Sequence, residues 1–239
     1  MSEKADATIE QVGNQSLPSK SEGVETWEVA RSEMMADCRV FQVRRDWSIN
    51  PRDGREHDFY VLEAPDWINI IPLTENNDVV MIEQYRHGSR EMTLEIPGGM
   101  VDVGETASEA AAREMLEETG YAGDEIITLG KTCPNPAIQS NWIHTFLAPR
   151  VKFKGKPELF DTTEHTVVRL VPLAEIPALI TAGRITHSLV VVGFHWLTLY
   201  QNNRTQDETM KDSHESNVEN HLSVNSLTTG TRPLPPDLH

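Results

Sequence analysis

Disulfides, basic charge and long apolar runs are all scarce in this 239-residue sequence. Two cysteines, Cys38 and Cys133, cannot build a disulfide framework, so a reducing compartment is expected and the chain reads as cytoplasmic. Neither has His or Cys neighbours at zinc-ligand spacing, and both are expected to be small buried hydrophobes. Lys and Arg number 21 against 37 Asp and Glu, a formal net charge of −16. That balance argues against a nucleic-acid backbone or an anionic membrane as partner. No apolar run is long enough to span a bilayer. The N-terminal MSEKADATIE also lacks the apolar segment of a secretory signal.

What the sequence does hold is a central domain between two polar ends. Residues 1–24 and 201–239 are poor in large apolar residues and read as disordered tails, leaving one domain over 25–200. The PLPP near the C-terminus suits polyproline II, as a partner-binding segment or an inert one. From Thr26 onward short alternating segments predict strands: WEVARSEMMADCRVFQVRRDWSI, then FYVLEAPDWINIIPLT, then VVMIEQYRHG, with NPRDG and ENND as turns. Further strands are expected at 125–130, 142–148 and 166–171. Two helices follow: PLAEIPALITAG, closed by Gly183, and THSLVVVGFHWLTLY, opened by Thr186. Its His187 and His195 read as core-edge residues. Strands that precede any strong helix point to an α+β class.

The chain is organised around GMVDVGETASEAAAREMLEETGY, residues 99–121. Thr106 and Glu109 form a T-x-x-E capping box, and Gly120 stands where a helix would end. Within that helix Glu114, Glu117 and Glu118 share one face at i, i+3 and i+4. Like charges at that spacing repel, so either the face is solvated or something positive offsets it. A divalent cation such as Mg²⁺, which takes oxygen ligands, would do so. Ser108, Ala112, Met115, Leu116 and Thr119 are expected to face the core, with the acids and Ala107, Ala110 and Ala111 on the opposite side.

Read whole, the stretch matches the pattern G-x5-E-x7-R-E-U-x-E-E-x-G-U, with U apolar. The matching residues are Gly99, Glu105, Arg113, Glu114, Met115, Glu117, Glu118, Gly120 and Tyr121. All seven fixed positions agree and Tyr121 fits its aliphatic slot loosely. The sequence therefore resembles the Nudix hydrolases. The lead-in QYRHGSREMTLEIPGG is similar to that of the branch that cleaves ADP-ribose and other nucleoside diphosphate sugars.

The resemblance implies a Nudix α/β/α sandwich with a mixed sheet between helices. It also implies an additional N-terminal antiparallel sheet, through which two copies would form a homodimer. It implies Mg²⁺ or Mn²⁺ held by Glu114, Glu118 and the Gly98 carbonyl, with Glu117 on a second metal or its water. Arg113 and Glu105 would pair and hold the loop against the helix. Arg86, which from the residues alone either grips phosphate or pairs with a carboxylate, is implied to meet the diphosphate, with Glu95 in the active site. Pro136 falls where this branch carries a proline. Glu164, in the loop with Asp161 and His165, aligns with the catalytic base. Trp67 either stacks on a nucleobase or packs. The implied reaction is hydrolysis of a small nucleoside diphosphate substrate, ADP-ribose or a related nucleotide sugar, to a nucleoside monophosphate and a sugar phosphate. GDP-mannose, NADH and dinucleoside polyphosphates are alternative substrates. A non-catalytic nucleotide-binding regulator is the alternative outside enzymes.

Overall fold

A computed structural model of the chain describes residues 23–155 and 165–206. The expected tails, apart from 23–24 and 201–206, lie outside the described residues, as do Asp161 and Glu164. The chain divides into two compact units, Met1–Leu62 and Glu63–His239.

The first unit is a three-stranded sheet of β1 (Glu28–Asp37), β2 (Gln42–Ile49) and β3 (Glu56–Glu63), in the order β1-β2-β3. β1 and β2 run antiparallel with Arg31 opposite Trp47. A four-residue reversal joins them, closed by the Cys38 amide on the Phe41 carbonyl at 2.9 Å, with Arg39 at φ 66°. Trp47 is buried between two guanidinium groups, Arg31 at 3.5 Å and Arg45 at 4.4 Å from its ring centre. Those arginines are in turn tied to Glu56 and Asp58 of β3. Cation–π contact and ion pairing thus replace an aliphatic core in this sheet. Cys38, expected to be buried, is exposed here because it sits in the reversal, and Cys133 is half-buried in the second unit.

The second unit is layered. β4 (Trp67–Pro72), β5 (Asp78–Arg86), β6 (Glu91–Glu95), β7 (Gly98–Met100), β9 (Ile127–Thr132), β10 (Ile143–Ala148) and β12 (Thr166–Pro172) form two sheets, ordered β7-β4-β10-β9 and β12-β5-β6. The short β8 (Tyr121–Ala122) and β11 (Lys152–Phe153) pair separately. β4 and β10 are parallel, whereas β7 on β4 and β9 on β10 are antiparallel, so the sheet is mixed.

Strand side chains alternate between faces, and the core splits accordingly. Ile68, Ile70, Val80, Phe146 and Ala148 pack with Ala110, Ala111 and Met115 of α1 (Ala107–Thr119). Ile71, Val79, Met81 and Leu147 point the other way. They meet Ile176 of the short α2 (Ile176–Thr181) and Val190, Phe194 and Leu197 of α3, helical from 188 to 206. Helix, sheet, helix is the layer order. Each fully buried aliphatic side chain contributes about 1.5–3 kcal/mol.

The caps of α1 form as its sequence dictates. The Thr106 hydroxyl accepts from the Glu109 amide, and the Glu109 carboxylate accepts from the Thr106 amide. Gly120 takes the left-handed conformation at φ 73°, and a Cβ there would overlap the Gly155 carbonyl. The buried face is rotated from the one expected. Ala110, Ala111, Met115, Glu118 and Thr119 are buried, while Ser108 is exposed and Leu116 is 45% exposed. Small alanines let α1 approach the sheet closely, and that contact, rather than side-chain size, selects the face.

Candidate active site

The rotation of α1 puts its acids at the edge of the packed face. Glu118 is 4% exposed and Glu114 and Glu117 are half-buried. All three line one cavity of about 820 Å³, together with Gly98, Gly99 and Asp102 from the chain that enters the helix. Glu118 Oε2 accepts a hydrogen bond from the Gly98 amide at 3.0 Å. β7 lies so close that a Cβ on Gly99 would overlap the Glu114 carboxylate. A side chain at position 99 would have to push that carboxylate aside.

Arg113 supplies much of the positive charge that the acid row demands. Its guanidinium donates to Glu105 at 2.6 and 3.2 Å, to Glu114 at 2.8 Å and to Glu117 at 3.3 Å. Another N–H reaches the Met100 carbonyl, and the Asp102 amide donates to Glu105 at 2.8 Å. Loop and helix are therefore clamped through one side chain. Hydrogen bonding from Arg113 holds the Glu105 carboxyl below its ordinary range, and Glu105 in return raises Arg113. The repulsion that a cation was expected to offset is thus already partly met by Arg113 and the Gly98 amide.

A different wall of the cavity carries Arg86, Thr93, Glu95 and His187. Glu95 is 2% exposed and fully engaged. Arg86 grips it with a two-pronged fork at 2.9 and 2.8 Å, Thr93 donates at 2.6 Å, and His187 Nδ1 lies 2.7 Å from Oε2. Burial opposes ionisation of Glu95. The bonds from Arg86, His187 and Thr93, with the Arg86 charge, outweigh it and hold the carboxyl far below the usual carboxylate range. Arg86 keeps 44% of its side chain exposed, so the fork fixes it without burying its charge.

The donor chemistry of the acid wall, three carboxylates, suits a hard divalent cation. Among the described residues no group of three or more His, Cys, Asp and Glu is already arranged to hold a metal ion. Mg²⁺ does not need such a group, because it binds through one or two carboxylates and completes its shell with phosphates and water.

Among known families, the NUDIX domain matches residues 64–190. The chain belongs to the Nudix family. It is 28% identical over 171 residues to the ADP-ribose pyrophosphatase of Mycobacterium tuberculosis, covering 70% of this chain and 81% of that one. It is 27% identical over 171 residues to the methanol dehydrogenase activator of Bacillus methanolicus, covering 72% and 92%. A solved ADP compounds hydrolase superposes with a TM-score of 0.68 at 20% identity, covering 77% of this chain and 98% of that one, which shows the Nudix fold. The chain is a Nudix pyrophosphohydrolase, similar to the ADP-ribose pyrophosphatase branch. Nudix hydrolases generally use divalent metal ions.

The Nudix box supplies the loop, the clamp and the acid wall, all from 99–121. Trp67, at the start of β4 and opposite Met100 of β7, is half-buried at the same cavity. Pro136 does not line it; it is exposed, in the turn whose Asn135 carbonyl accepts from the Ile138 and Gln139 amides. His195 is exposed on α3. His187, read as a core-edge residue, is instead part of the cavity wall. Its neighbours in sequence, THSL, gave no sign of this, because the contact to Glu95 spans 92 residues. Among the described residues no helix is long and apolar enough to cross a membrane.

Proposed function

We propose that this Nudix enzyme hydrolyses the diphosphate linkage of ADP-ribose or a related nucleotide sugar, giving a nucleoside monophosphate and a sugar phosphate. The observation that carries the reading is one cavity with an acid wall for a cation and a separate Arg86–Glu95–His187 wall. Its volume, about 820 Å³, is that of a site for a ligand of nucleotide size. Relatives named ADP-ribose pyrophosphatase and ADP compounds hydrolase support the substrate class.

Glu114, Glu118 and the Gly98 carbonyl would hold Mg²⁺ or Mn²⁺, with Glu117 serving a second ion or its water. When bound, such a cation neutralises diphosphate charge and activates water for attack on phosphorus. Arg86 steadies a phosphate from its own wall of the cavity, its side chain 44% exposed while the fork holds it. Glu164 accepts the proton of the attacking water as the bridging P–O bond breaks. Arg113 and Glu105 keep the acids in place. Trp67 stacks on the base, and Pro136 stiffens its loop. Two copies associate through the first unit, whose exposed Val29, Met34, Met35, Phe59 and Tyr60 support that reading; a monomer in sedimentation equilibrium would remove it. The free thiols of Cys38 and Cys133 are in keeping with a cytoplasmic setting.

The test is a set of initial rates with Mg²⁺ for ADP-ribose, GDP-mannose, NADH and a diadenosine polyphosphate. The expected result is a kcat/KM for ADP-ribose or another nucleotide sugar well above the others. Preference for NADH or the dinucleoside compound would replace the substrate class, and binding without hydrolysis of any would make the chain a nucleotide-binding regulator.

A further inference from the structure

His187 stands between Ile185, anchored in the core, and the first turn of α3, and its side chain is 33% exposed in the cavity wall. Its ring is oriented from one side. Nδ1 is 2.7 Å from Glu95 Oε2, and Glu95 cannot move, because Arg86 and Thr93 hold its carboxylate as well. An ionised carboxylate only accepts hydrogen bonds, so the hydrogen in that contact belongs to Nδ1. The neutral imidazole then carries its lone pair on Nε2. Among the described residues Nε2 has no hydrogen-bond partner.

An acceptor facing a nucleotide-sized cavity is selective. Phosphate oxygens offer it no hydrogen and are repelled, whereas a sugar hydroxyl can donate to it. The geometry points to His187 as a specificity-determining residue, whose Nε2 accepts a hydrogen bond from a hydroxyl of the sugar attached to the diphosphate. Glu95 acts here as a positioning residue, setting the tautomer and the angle of the ring. The inference rests on the function proposed above and names the part of the substrate that the Arg86–Glu95–His187 wall reads.

The test compares ADP-ribose with the β-methyl ester of ADP at mildly alkaline pH. The ester keeps the nucleoside, its ribose and the diphosphate but lacks the second sugar. His187→Phe keeps a flat ring and removes the acceptor; His187→Gln keeps an oxygen near the Nε2 position. The expected result is a loss of about tenfold in kcat/KM for ADP-ribose with His187→Phe, the size of one hydrogen bond. The ester should be unaffected, and His187→Gln should recover most of the loss. Equal losses on both compounds would place the contact on the shared nucleoside or diphosphate and overturn the inference, as would no loss on either. If His187→Phe does not fold, judged by its thermal transition, His187→Ala, which also removes the acceptor, takes its place, and equal losses on both compounds or no loss on either overturn the inference too. A wild-type enzyme that cleaves ADP-ribose but shows these outcomes refutes only the role of His187. One that cleaves neither compound refutes the proposed function and this inference with it.

Discussion

Glu118→Gln is expected to lower kcat by about a hundredfold while the protein still folds. The magnitude follows from the place of this carboxylate in the acid wall. Loss of groups that merely orient a metal ligand already costs ten- to a hundredfold, and loss of a ligand, the role proposed for Glu118, costs no less. Stability is expected to hold because the amide oxygen of Gln can still accept from the Gly98 N–H, now at 3.0 Å from Glu118. Removing one of three like charges also relieves repulsion along α1 by a few tenths of a kcal/mol. Steady-state kinetics over a Mg²⁺ titration, with a thermal melt alongside, check both halves. Full turnover of the variant at limiting Mg²⁺ would strike Glu118 from the ligand set.

Glu95→Gln acts through the other wall and has the second largest effect. Its amide would set a donor against donors already in place, the Arg86 fork or His187 Nδ1. Breaking a fully buried pair costs about 3–5 kcal/mol; Arg86 can turn toward water, so about 2 kcal/mol is expected here. The pH dependence has a definite sign. An unfolded Glu titrates near about 4.3, whereas the folded carboxyl is held far lower by Arg86, His187 and Thr93 against the opposing effect of burial. Its contribution is therefore complete above the unfolded value and lost as pH falls toward the folded one. Urea unfolding of both proteins should show a gap that is constant from neutral pH to about 5. Below that the gap should narrow. A gap that widened in acid would contradict the ionised, bonded Glu95.

Much of the acid wall could be read in the sequence because it is local. Thr106, Glu109 and Gly120 set the limits of α1, and the spacing of Glu114, Glu117 and Glu118 sets their common side. The core face of the same helix was misread for a physical reason. Periodicity weighs large apolar side chains, so Leu116 looked buried and Ala110 and Ala111 did not; close approach to the sheet reverses that order. Contacts between distant parts of the chain left no local trace. The parallel pairing of β10 with β4 aligns Ile143 with Trp67, and the bond from His187 to Glu95 joins the start of α3 to the end of β6. Arg86 was legible as a choice between phosphate and carboxylate. The structure shows the carboxylate, in a fork that leaves the guanidinium at the cavity.

Cleavage of a diphosphate in this cavity is tested most directly by ³¹P NMR of ADP-ribose incubated with the enzyme and Mg²⁺. The coupled diphosphate resonances are expected to disappear while two monophosphate signals, AMP and ribose 5-phosphate, grow in equal amounts. Persistence of the diphosphate signals with Mg²⁺ and with Mn²⁺, or release of inorganic phosphate as the first product, would contradict it.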